Sequence, residues 1–215
     1  MLRSHRDRRR GTALLTALAL SFGMAGCGDD SDGGSNASDE QTAANGDVFN
    51  NADITFATDM IPHHAQAIQM VTLTDTRTLD PEVKQLADSI RDVQAPEIEA
   101  MVDWLTAWGE EIPETSIDHA NAGHDMSDMP SMEGADLPGM MSAEAMQALA
   151  DASDAEFQDM WLEMMVEHHE GAIEMAKTEQ AEGKYPDAVS LAESIKTSQQ
   201  AEIQQLKQLE QLLGS

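Results

Sequence analysis

A single cysteine, Cys27, stands in the 215 residues of the chain. Beyond that position no disulfide or thiolate can form, so a soft-metal site there must use thioether sulfur and imidazole nitrogen. Cationic side chains are scarce as well: 12 Lys and Arg oppose 40 Asp and Glu, for a formal charge of −28. Phosphate backbones are bound through cations, so nucleic acid is excluded as a partner. The acidity suits solubility outside a cell, and it also makes a field that concentrates cations at the surface. Long apolar runs are missing too. The stretch "TALLTALALSFGM" (12–24) is too short for a comfortable membrane-spanning helix. No nucleophile–base pairing or glycine-rich phosphate cradle occurs, which argues for a binding protein over an enzyme.

The N-terminus reads as an export signal: basic "RSHRDRRR", the apolar run, then small residues up to "AGC". The cysteine after "MAG" resembles a bacterial lipobox. That resemblance implies cleavage of residues 1–26, a lipid on the Cys27 thiol and a place on the extracytoplasmic face of the cell membrane, held by the lipid anchor alone. An ordinary signal peptide with an incidental cysteine is the alternative, and both Sec and twin-arginine export stay open. Cleavage would remove five Arg and one Asp, moving the formal charge from −28 to −32. Residues 27–52 are acidic and rich in Gly, Ser and Asn, and are expected to form a flexible tether to a domain spanning 53–215.

Within that domain the chain repeats itself at an offset of 105 residues without a gap. Met60 falls on Met165, His63 and His64 on His168 and His169, Met70 on Met175, and Pro81 on Pro186. The register continues through Gln94 and Gln199 to Glu97 and Glu202. One difference is Pro62, which meets Glu167. Chance does not hold one offset over about forty residues, so this is a duplicated unit. Each copy reads as a helical hairpin, 53–108 and 154–213, with Pro81 at the favoured first position of a second helix. "NAD" (51–53) offers caps for the first helix, which is expected to reach Thr76, and Pro62 and Pro96 should bend their helices. A connection, 109–141, joins the hairpins, with a short helix expected over "SAEAMQALAD". Two hairpins that cannot bury their apolar stripes alone should pack together. The expected fold is all-α, a ferritin-like four-helix bundle.

Helical spacing puts Phe56, Met60, His63, Ala67 and Met70 on one face, and Trp161, Met165, His168, Ala172 and Met175 on its counterpart. His64 and His169 lie on the flanks. The second helix of each hairpin carries Gln94 and Glu97, or Gln199 and Glu202, level with the histidines. Each hairpin should therefore build a polar layer inside an apolar interface, where an unpaired polar group costs a few kcal/mol, on the order of 1–3. A structural reading has the histidines bonded to Gln and Glu with methionine as core filler. The duplicated pairs with flanking Met favour a metal reading. Di-iron bundles use an inward Glu-x-x-His, and here Met60 and Met165 take the glutamate's place. Thioether with imidazole favours Cu(I), with Ag(I) as a mimic, over iron, magnesium or calcium. Glu97 and Glu202 could fix the imidazole tautomers from behind. Met70, Met175, His119, His124, Met126, Met129 and Met132 are weaker candidates, the last five as a copper-collecting arm.

The motifs "MIPHHAQAIQM", "LADSIRDVQAPEI", "LPGMMS" and "MMVEHHEGAIEM" resemble those of the DUF305 proteins, over about 53–213. The resemblance implies a ferritin-like bundle, export and copper binding, with Met60, His63, His64, Met165, His168 and His169 as the matching positions. A copper-binding lipoprotein for sequestration, tolerance or transfer is the expected function, with no donor or acceptor protein identified. A ferritin-like oxidase and a partner-binding helical module are the alternatives.

Overall fold

The computed structural model describes residues 40–115 and 137–213. Cys27, His119, His124, Met126, Met129 and Met132 lie outside the described residues. The elements are a hairpin of β1 (Gln41–Thr42) and β2 (Val48–Phe49), then α1 (Asn51–Thr72), α2 (Pro81–Trp108), α3 (Ala143–Asp151), α4 (Asp154–Glu182) and α5 (Pro186–Leu213). Apart from the hairpin, the regular structure of the described residues is all α.

Local chemistry starts and stops each helix. Asn50 caps α1, accepting from the Ala52 and Asp53 N–H groups at 2.9 and 3.1 Å, while the Asp53 carboxylate accepts the Asn50 N–H at 2.7 Å. The helix thus begins before the expected cap, and it ends at Thr72, short of Thr76. Asp80 caps α2, with Pro81 in the first turn, and Gly109 closes it in the left-handed conformation. Pro62 and Pro96 lie inside unbroken helices. Each removes one helical N–H, yet packing keeps the helix running.

Residues 41–49, which fall within the stretch expected as a tether, form the hairpin. Phe49 is buried and stacks on Trp108 with ring centroids 4.5 Å apart, which draws the preceding hairpin onto the end of α2. One buried aromatic ring contributes roughly 1.5–3 kcal/mol, enough to order so short a segment.

α1 packs against α2, α4 against α5, and α1 against α4. Two apolar clusters result. One gathers Met70, Leu86, Ile90, Trp161, Met165 and Leu206. The other gathers Phe56, Met60, Met101, Leu105, Ala172 and Ile195. α1 runs from the second cluster to the first and α4 runs the opposite way, so the duplicated hairpins are related by a pseudo-twofold axis. The histidine pairs lie between the clusters.

Polar groups lock the hairpins together. Asp53 accepts the Lys184 and Tyr185 N–H groups, at 3.0 and 2.9 Å to the same oxygen, and Asn50 donates to the Glu182 carbonyl at 2.8 Å. Glu179 is buried beside Asp53. Burial first, then the Asp53 carboxylate, push its carboxyl up from 4.5 to about 9. The folded protein therefore holds a proton that the unfolded chain releases above 4.5. Glu179 contributes most to stability below that value, and the contribution is lost as pH rises towards 9. Glu179→Gln, neutral at every pH, should flatten the fall of the thermal midpoint between pH 5 and 9. An unchanged slope in the variant would refute this.

Candidate metal centre

His63, His64, His168 and His169 are all fully buried. α1 and α4 bring them together because the helices cross at the level of the repeat motif. His63 and His168 meet at the axis, with ring centroids 3.7 Å apart and planes inclined by 37°. His64 and His169 flank them, each 6.5 Å from its sequence neighbour. The near-identical spacing of the two pairs is the repeat expressed in side-chain geometry.

The outer histidines are held from behind. His64 donates Nε2–H to Glu97 at 2.8 Å, and His169 donates Nε2–H to Glu202 at 2.6 Å. His63 Nε2 lies 3.0 Å from the Pro138 carbonyl, an acceptor only, so this nitrogen also carries the proton. In each case the tautomer follows from the partner, and Nδ1 is left as the lone pair. Among the described residues, no group hydrogen-bonds Nδ1 of His63, His64, His168 or His169, or Nε2 of His168. Five such buried atoms at about 1–3 kcal/mol each approach the whole stability of an ordinary domain. A bound cation would remove much of that cost.

Protons do not compete for this role. Burial, then the neighbouring His64, lower His63 to about 3, and burial with His63 and His169 holds His168 well below its ordinary value. The central imidazoles are thus neutral ligands-in-waiting across the physiological range.

Sulfur stands on both sides of the layer. Met60 precedes His63 by one turn and belongs to one apolar cluster; Met165 precedes His168 and belongs to the other. Met70 is fully buried beyond His63, and Met175 is partly buried beyond His168. Gln94 and Gln199 are buried in the same layer but do not bond the imidazoles: among the described residues neither polar atom of the Gln94 amide has a partner, and Gln199 Oε1 has none. Among the described residues, no three His, Cys, Asp or Glu side chains are arranged to hold one ion by themselves. A hard ion wanting six or more oxygens does not fit. Imidazole and thioether are donor types that suit a softer ion.

The family of domains of unknown function named DUF305 matches residues 53–210. The chain belongs to the DUF305 family. A DUF305 protein of Streptomyces coelicolor superposes with a TM-score of 0.64 at 30% identity, over 76% of this chain and 94% of its own. A DUF305 fragment of Deinococcus radiodurans gives 0.63 at 25% identity, over 81% and 99%. CopM in its Cu(I)-bound form gives 0.57 at 30% identity, over 74% and 95%. No curated protein matches the chain in sequence.

Helical periodicity did not reveal every group at this DUF305 centre. Residues Leu137–Met141 cross the α1–α4 seam, where the Pro138 carbonyl meets His63 and the Gln66 amide bonds the Met141 backbone. The available signal was a mismatch in the repeat, Gln66 opposite Gly171.

Glu202→Ala should destabilise the metal-free protein by about 1–3 kcal/mol, because it strands a buried His169 N–H. Urea unfolding measures this; a midpoint within error of the parent would refute it.

Proposed function

We propose that this DUF305 protein is an exported copper-binding protein that takes Cu(I) at the buried imidazole layer, with sequestration or transfer as its role. The observation that carries the reading is the set of buried Nδ1 lone pairs, with three histidines held in the Nε2–H form by Glu97, Glu202 and Pro138. His63 and His168 are the central donors, His64 and His169 flank them, and the thioethers of Met60 and Met165 complete the set. Met70 and Met175 are auxiliary donors. The similarity to CopM, which has Cu(I)-bound, Cu(II)-bound and Ag-bound forms, supports copper as the ion. The acidic surface would raise the local concentration of arriving ions. His119, His124, Met126, Met129 and Met132 suit a collecting arm by composition. Cys27, as the lipidated residue after cleavage of 1–26, would anchor the protein outside the membrane.

The test is a Cu(I) titration under reducing conditions against a chromophoric chelator. The parent should bind tightly, and His63→Ala with His168→Ala should abolish the tight site. Occupancy at 100 times the dissociation constant should add about 2.7 kcal/mol of stability. Equal weak binding by the parent and by the variant lacking all four histidines would end this reading. Sustained oxygen uptake after Cu(I) addition would point to an oxidase instead.

A further inference from the structure

The two copies of the repeat differ at several places beside the histidines, Pro62 against Glu167 and Ala65 against Glu170 among them, and at one of these Gln66 corresponds to Gly171. The strap Leu137–Met141 uses both. Gln66 donates to the Met141 carbonyl at 2.9 Å and accepts the Met141 N–H at 2.7 Å, a two-point grip on one residue's backbone. Across the seam, a Cβ at Gly171 would lie 1.9 Å from the Pro138 carbonyl oxygen and 2.7 Å from the Gly139 Cα. Any side chain there would displace the strap. Gly139 itself has φ +74°, a left-handed conformation that suits glycine. Met141 is buried in the apolar cluster and anchors the end of the strap.

The strap packs on both halves of the centre, Gly139 lying against the Glu167 and His168 carbonyls, but its bond to a ring is to His63. Its Pro138 carbonyl takes the His63 Nε2–H, whereas among the described residues neither ring nitrogen of His168 has a hydrogen-bond partner. The nearby His63 backbone acts to raise the basicity of His168 without reaching hydrogen-bonding geometry.

We propose that Gln66 is a positioning residue: with Gly171 it seats the strap, and the strap holds His63 as a fixed Nδ1 donor while His168 stays adaptable. The two halves of the centre are thereby inequivalent despite the duplication. The purpose of this arrangement rests on the copper reading; its geometry does not.

Two-bond 1H–15N correlation spectra of the metal-free protein test the geometry directly. The parent should show His63 only as the Nε2–H tautomer. Gln66→Leu and Gly171→Ala should each give a mixture at His63, while His64 and His169, held by their glutamates, stay unchanged. Should Gln66→Leu fail to fold, Gly171→Ala carries the same reading. An Nδ1–H form in the parent, or an unaltered His63 in a folded variant, would overturn the proposal. In chelator competition, the variants should bind Cu(I) about 10- to 100-fold more weakly. A mixed tautomer with unchanged affinity would overturn the positioning role. A parent that binds no Cu(I) would sink the copper reading while the tautomer experiment still decides this one.

Discussion

Four imidazoles, shut off from solvent between two apolar clusters, set the terms for the rest of this molecule. A neutral imidazole needs one donor and one acceptor to be satisfied, and the described residues supply half of that to three of the rings and neither to His168. Acceptors come from Glu97, Glu202 and the Pro138 carbonyl. Among the described residues, no donor reaches the Nδ1 atoms. The apolar clusters must therefore carry the stability that the polar layer spends, which accounts for the large side chains above and below it.

The duplication explains how so many buried histidines can be presented at once. A single hairpin offers one pair on one helical face; a second copy, packed antiparallel, brings an equal pair to the same level. Symmetry also brings risk, since equivalent rings at 3.7 Å would repel if both were charged. Burial resolves this by keeping both neutral. The glutamates stand behind the outer rings, where their negative charge polarises an imidazole without occupying its free nitrogen.

Much of this was legible from residues alone. The one-register repeat, the 3.6-residue stripes and the caps together specify two helical hairpins with histidines at matching depth. Folding each hairpin about its turn brings Gln94 and Glu97 level with His63. Which of them reaches a ring depends on rotamers that periodicity does not report: Glu97 bonds His64, and Gln94 bonds nothing. The strap and the 41–49 hairpin escaped because their courses depend on distant contacts, Gln66 with Met141 and Phe49 with Trp108. Glu179 escaped for a similar reason, since its neighbour Asp53 lies in a different hairpin.

Soft-ion chemistry at this layer has a direct spectroscopic signature. X-ray absorption at the copper edge of the Cu(I)-loaded protein should show low coordination, imidazole scattering and at least one sulfur. A shell of oxygen alone, as carboxylates on the acidic surface would give, would contradict the account.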